Sequence, residues 1–360
     1  MPAPTTFKNG SRALWYPLVD LEKIWGQAPR KSPLQKQKQI AVDCTAWFAK
    51  YRPASASAVV AADAEDEMLR QINIGLLTTA IYPGAGYPQT RVCADFCAYL
   101  WLLDDLSDEQ DVVEIERSGG LAEVVLGALR DPDGFASKAR VAVLGKDMMR
   151  RFVRTAPVQV QQRFVATFED FFQGVQAQAK IRSTGTLPTL KEYIEIRRQT
   201  SACKSCWAVC EYAYNIFLPE EVRFHPILAG LDEAANDLVA NIPPGSLQDM
   251  YSYGRERARA DLSHNMMHIV MVHQDLSLVA AAKFVGAMCI EAIERFHKLK
   301  AASQAVTESE WDSGTRREVA RYVQALQDWI TGILYWGFQQ ERYFGEDVKK
   351  VAETMRVYLV

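Results

Sequence analysis

Three aspartates, Asp104, Asp105 and Asp108, follow the apolar, aromatic-rich run CAYLWLL, and Glu109 and Asp111 extend the charge. A spacing of four puts Asp104 and Asp108 on one helical face. Neighbouring carboxylates on a half-buried helix repel one another unless a cation neutralises them. Their hard oxygens suit magnesium, which keeps part of its water shell and shares phosphate oxygens. A solvated helix end carries acidic runs too. Here an apolar wall leads straight into the carboxylates, which is what a greasy diphosphate would need.

A second polar face lies downstream. Gln248, Ser252 and Glu256 recur every four residues, so in a continuous helix they line a stripe about 12 Å long. With Asp249 and Arg255 beside them, these side chains could ligate a further magnesium and touch its anionic ligand. The polar side of an ordinary amphipathic helix has the same pattern. Just upstream, NIPPGSL (241–247) carries Pro243 and Pro244, which should break a helix. Ser246, three residues ahead of Asp249, resembles an N-cap from which a new helix would start.

Three other patterns invite chemistry and are set aside. Cys203, Cys206 and Cys210 share a helical face, but no fourth cysteine or histidine has supporting spacing, and buried thiols on a core-facing helix explain them. His264 and His268 lie one turn apart without the glutamate of an HExxH site, and read as packing or helix-end residues. Gly84, Ala85 and Gly86 make too short a run for a nucleotide loop.

The elements that must position the acidic and polar faces are helices. VCADFCAYLWLLDDL (92–106), LDEAANDLVA (231–240) and LSLVAAAKFVGAMCIEAIERFHKL (276–299) carry apolar residues at spacings of three and four. Glycine and proline gather between such segments, in YPGAGYP (82–88), RDPDGFA (130–136), STGTLP (183–188) and NIPPGS (241–246). No sustained alternation marks a strand, no repeat has a solenoid period, and no long polar tract separates two domains. The pattern predicts an all-α fold in a single domain over residues 1–360, with the alanine- and serine-rich stretch 53–64 as a loop or helix end.

With 49% hydrophobic residues among 360, the chain can bury a large core. A net charge of −3 gives no global reason to bind nucleic acid or an anionic membrane. No run approaches the roughly 20 apolar residues of a membrane span. The N-terminus, MPAPTTFKNGSRALWYPLVDL, lacks the basic start and continuous apolar stretch of a secretory signal. Seven scattered cysteines, an odd number, suit a reducing compartment better than a disulfide framework. A cytoplasmic protein with free thiols and no membrane insertion is expected.

LLDDLSD (102–108) resembles the aspartate-rich DDxxD motif of class I terpene synthases, and QDMYSYGRE (248–256) resembles their NDxxSxxxE motif, in the right order. EYIEIRRQTSACKSCWAVCEYA (192–213), SHNMMHIVM (263–271) and WGFQQERYFG (336–345) are similar to fungal sesquiterpene synthases, so the resemblance covers the chain from about residue 80 onward. It implies a helical bundle around a central active-site cavity, with residues 1–40 as an extension packing on or capping it. It implies a carbon–oxygen lyase that ionises farnesyl diphosphate and cyclises the cation to a sesquiterpene hydrocarbon or alcohol. The alternatives are a cyclase of geranyl or geranylgeranyl diphosphate, or a weakly active or non-catalytic prenyl-diphosphate-binding relative. Either a monomer or a homodimer fits.

The resemblance also assigns roles. Asp104, Asp105 and Asp108 would form the first metal motif, and Gln248, Ser252 and Glu256 the second, so that three Mg2+ ions surround one diphosphate. Arg198 would sense the diphosphate, with Ser201 and Ala202 coupling sensing to ionisation, and Arg255, Arg342 and Tyr343 would hold the departing group. Metals and arginines of this kind stabilise leaving-group charge as it develops. The carbocation left behind needs a water-poor, electron-rich wall, for which Phe96, Tyr99, Trp101 and Trp336 are candidates. Trp336 is preferred, since a seven-residue spacing predicts that it shares a helical face with Tyr343. The chain departs from the family pattern at Gln248, where asparagine or aspartate is usual, at Ala202, where glycine is usual, and in the NIPPGSL insertion.

Overall fold

Proline, glycine and short polar caps set where the helices begin and end. The computed structural model describes residues 14–52, 65–108, 119–241, 264–339 and 343–359, together with 250, 253, 254, 257, 262 and 341; the side chains of 104–108, 240, 241 and 307–309 fall outside that description. In chain order the elements are β1 (Leu14–Pro17), α1 (Leu21–Trp25), α2 (Leu34–Lys50), α3 (Ile74–Ile81), α4 (Tyr87–Asp108), α5 (Gly119–Arg130), α6 (Arg140–Phe152), α7 (Val158–Thr184), α8 (Leu190–Thr200), α9 (Cys203–Tyr214), α10 (Glu220–Arg223), α11 (Pro226–Asn241), α12 (Met266–His273), α13 (Leu278–Glu310), α14 (Ser313–Gly337), α15 (Val348–Thr354) and β2 (Arg356–Leu359).

The helices expected from apolar spacing are α4, α11 and α13. Pro88 sits in the first turn of α4, where a missing N–H is harmless. α7 stops on Gly185 at φ 64°. Thr189 and Glu192 close a capping box at the start of α8. Asp312 accepts the N–H groups of Gly314 at 2.7 Å and Thr315 at 3.1 Å to open α14.

α14 is the spine of the core. From Ala325 to Gly337 every residue except Tyr335 is buried, and α3, α9 and α11 pack against it. Gly332 permits the closest of these approaches, since a Cβ there would stand 2.4 Å from the Ala80 carbonyl oxygen of α3. Around this spine α11 lies on α13, α4 on α3 and α6, and α7 on α5, α8 and α9. All seven cysteines are free and buried, as the sequence predicts. Among the described residues no single helix is long and apolar enough to cross a membrane.

Among the described residues the strands form a two-stranded ribbon. β1 and β2 pair antiparallel, with Trp15 opposite Tyr358 and Tyr16 opposite Val357. Four residues per strand are too few to display a period in the sequence, which is why no strand is expected there. Next to β1, Val19 presses on Gly286 of α13, where a Cβ would meet Val19 Cγ2 at 2.3 Å. Trp25 of α1 donates its indole N–H to Thr331 of α14 at 2.8 Å, and Arg30 pairs with Asp328. The expected loop at 53–64, the break at Pro243 and Pro244 and the N-cap at Ser246 lie outside the described residues.

Candidate active site

α4 positions the first acidic motif. It runs unbroken to Asp108, so the backbone of Asp104, Asp105 and Asp108 forms its last turns, with no basic residue among them. Deeper in the helix, buried Asp95 is gripped by Arg91 at 2.7 and 2.9 Å and by Arg151 of α6 at 2.7 Å. Burial pushes the Asp95 carboxyl above its usual range, and the two guanidiniums pull against that shift. The carboxylate therefore fixes the helix laterally, well below its acidic end.

The four aromatic candidates divide between opposite sides of α4. Phe96 packs against Phe164 at 5.6 Å and Phe168 at 6.4 Å, both on α7. Tyr99 is fully buried and donates its hydroxyl to the Val141 carbonyl of α6 at 2.9 Å. These two stand among core rings between α4, α6 and α7. Trp101 lies about 140–160° around the helix from them. Its ring is 6.4 Å from Trp336 of α14, and Trp336 in turn meets Tyr343 edge-on at 6.3 Å. Trp336 is completely buried, and its indole N–H is held by the Ile72 carbonyl at 2.5 Å.

Trp336 and Tyr343 do not share a helix, contrary to the seven-residue expectation. α14 ends at Gly337 with Phe338 as its C-cap, and Tyr343 stands in the turn beyond. The two rings meet because the chain folds back, not because a helix repeats. The aromatic trio nonetheless joins the acidic end of α4 to the Arg-Tyr segment, with Trp101 three residues before Asp104 and Tyr343 next to Arg342. Arg342 itself, like Gln248, Ser252, Arg255 and Glu256, lies outside the described residues. Among the described residues no group of three metal-ligating side chains forms.

The chain breaks between α8 and α9. Ala202 takes φ 56° and ψ 11°, the left-handed conformation that glycine adopts freely and alanine does not. Asn236 of α11 spans the break: it accepts the Ser201 hydroxyl at 3.0 Å and donates to the Arg198 carbonyl at 2.9 Å. Ser201 also accepts the Cys203 N–H at 3.3 Å, the first turn of α9. Nothing in the sequence singles out Asn236, because its partners lie 35 and 38 residues away.

Arg198 is directed at α11. Its guanidinium binds Asp237 through two bonds of 2.7 Å and Glu233 at 3.0 Å, and Arg295 of α13 binds the same Asp237. Hydrogen bonding to Asp237 raises the Arg198 pKa further. Arg198 and Asn236 border a cleft of about 370 Å³ in which the charged side chains of Arg163, Glu211, Arg223 and Asp232 stand beside the apolar ones of Trp207 and Phe224. Arg197 stands on another face. It is in register with buried Tyr193 four residues before it and Thr200 three after, and its Nε is buried. Beside it, burial pushes the Cys203 thiol up to about 12, against the pull of Ser201 and Arg197. Cys206 and Cys210 are raised for the same reason of burial, as suits small thiols packed in the core.

Comparison with known proteins identifies a family. Residues 95–295 match the family model described as terpene synthase family 2, C-terminal metal binding. Sesquiterpene synthase Agr1 of Cyclocybe aegerita is 44% identical over 289 residues, 80% of each chain. Sesquiterpene synthase 1 of Postia placenta is 42% identical over 323 residues, 90% of this chain and 89% of that one. Among solved structures, germacradien-4-ol synthase from Streptomyces citricolor superposes with a TM-score of 0.73 at 21% identity, covering 86% of this chain and 96% of its own. An α-eudesmol synthase gives a TM-score of 0.73 at 19% identity, over 87% and 98%.

Proposed function

The chain belongs to the terpene synthase family, and on that premise we propose that it ionises farnesyl diphosphate with Mg2+ and cyclises the cation to a sesquiterpene, releasing diphosphate. The observation that carries the reading is the junction at the end of α4, where an aromatic trio, Trp101, Trp336 and Tyr343, adjoins the turns bearing Asp104, Asp105 and Asp108. An apolar prenyl chain and a diphosphate need those two surfaces side by side.

The donor set fits a hard divalent cation. Aspartates at the C-terminal end of a helix face the negative pole of its dipole, and no basic residue relieves α4 there. A cation with oxygen preference would be held by Asp104, Asp105 and Asp108, with Gln248, Ser252 and Glu256 as the second set. Bound there, magnesium would supply positive charge to the diphosphate as its C–O bond breaks.

The chain's own residues do the rest. Arg197, on the inward face of α8, is the guanidinium we assign to the diphosphate, while Arg198 braces α8 against Asp237 and Glu233 of α11. Arg255, Arg342 and the Tyr343 hydroxyl would donate to the departing oxygens. The α8–α9 break, held by Ser201 and Asn236, carries any shift at the diphosphate into the pocket wall. Trp101 and Trp336 exclude water and turn electron-rich faces towards the cation. Seven buried free thiols support a cytosolic location.

Incubation of the purified protein with geranyl, farnesyl and geranylgeranyl diphosphates, with and without Mg2+, tests the reading. Volatile products and released diphosphate should appear with the farnesyl substrate and only with metal. Faster turnover of another chain length would change the substrate; none with any would overturn the enzyme.

A further inference from the structure

The ribbon of β1 and β2 is expected neither from helical spacing nor from the motifs, and it rests against the second metal motif. Tyr16, fully buried in β1, donates its hydroxyl to the Met250 carbonyl. Its ring meets Tyr253 edge-on at 5.9 Å. From β2, Leu359 comes so near Gly254 that a Cβ there would stand 3.0 Å from Leu359 Cδ2. Both strands thus bear on one short stretch of chain.

Met250, Tyr253, Gly254 and Arg257 are helical, and Met250 and Tyr253 are buried. Spacings of three, four and seven collect them on one helical face. In the sequence the motif positions Gln248, Ser252 and Glu256 alternate with these anchored positions. Apolar contacts such as Tyr253 on Tyr16 hold a helix close but let it roll. A hydroxyl bonded to one particular carbonyl does not, because hydrogen bonds weaken steeply with angle.

We propose that the terminal ribbon is a positioning device for the second metal motif, with the Tyr16 hydroxyl setting the rotation of the helical turns at Met250, Tyr253 and Gly254, between which Ser252 falls in the sequence and after which Glu256 follows. It takes over a task that a continuous helix from α11 would perform, had Pro243 and Pro244 not intervened in the sequence. Tyr16 is a positioning residue and touches no substrate. The proposal rests on the metal-dependent reading above.

Tyr16→Phe keeps the ring and removes only the bond. Two measurements on the full chain decide the matter: amide hydrogen exchange over 250–257 without metal, and calorimetric binding of inorganic diphosphate across a Mg2+ titration. The variant should exchange faster over 250–257 and need roughly three- to ten-fold more Mg2+ for half-saturation, the scale of one lost neutral hydrogen bond. Leu14→Ala, at a 46% exposed site on the same ribbon, should change neither. Leu359→Ala should reproduce the Tyr16→Phe exchange result and guards against a misfolded first variant. Wild-type exchange and Mg2+ dependence in Tyr16→Phe, or an equal shift in Leu14→Ala, overturns the proposal. Wild-type protein that binds diphosphate equally well without Mg2+ overturns the metal reading, while exchange over 250–257 still reports on the tether alone.

Discussion

α4 and the α8–α9 pair present their functional groups in opposite ways. α4 is one unbroken helix of 22 residues that ends in its acidic motif. The α8–α9 pair is interrupted, with Ala202 in a left-handed conformation and Ser201 tied to Asn236. The load on α4 is electrostatic, carboxylates gathered at the negative pole of a helix. The load on α8–α9 is conformational, a side chain where glycine is at ease. A bound cation relieves the first, and only a change of residue relieves the second. On the proposed reading the acidic motif registers metal directly, whereas the break keeps its backbone strain with or without ligand.

Asp104→Ala tests the electrostatic half and carries the largest expected effect. Metal-dependent turnover should fall by at least about a thousandfold, the scale of losing a principal stabiliser of leaving-group charge. Without metal the same variant should be as stable as the parent or more so, by up to about 1 kcal/mol, since it removes a charge opposed to the helix dipole. Product assays and metal-free thermal melts check both. Retained turnover, or a clear loss of metal-free stability, breaks the contrast drawn for α4.

The next effect separates the two arginines of α8. Arg197→Ala should lower turnover about a hundredfold with little change in melting temperature. Arg198→Ala should chiefly destabilise, by about 1–2 kcal/mol, because it strips a half-buried clamp from Asp237 and Glu233 while Arg295 still pairs with Asp237. Turnover and melts of both variants give the answer. If Arg198→Ala loses turnover and keeps its stability, the assignment by family resemblance is right, and the helical-face assignment of Arg197 fails.

The helices and the all-α architecture were legible because α4, α11 and α13 are long enough to show their period. β1 and β2 were not, since a period of two needs more than four residues to stand out. The aromatic trio was half legible. Trp336 and Tyr343 do meet, but across a reversal of chain that spacing alone reads as continued helix. Motif resemblance selected Arg198, and only the structure brings Asp237 of a neighbouring helix to that guanidinium. Asn236 and Tyr16 lay beyond reach altogether, since each acts through partners distant in the chain, 35 and 234 residues away.

Ala202→Gly tests the conformational half and carries the smallest expected effect, because three terms nearly cancel. Leaving the left-handed region to glycine relieves about 1–2 kcal/mol. Against this, glycine loses more backbone entropy on folding, about 0.5–1 kcal/mol. It also gives up a methyl that is buried here, 7% exposed and worth up to about 0.8 kcal/mol. With the methyl fully lost the balance runs from about −0.8 to about +0.7 kcal/mol and centres near zero, a shift in melting temperature within about 2 °C either way, with turnover changed less than about threefold. A fall of several degrees would mean that the methyl is a packing element and that the break is not strained. A tenfold rise in turnover with unchanged stability would mean that the methyl impedes the movement by which the break passes a shift at the diphosphate to the pocket wall.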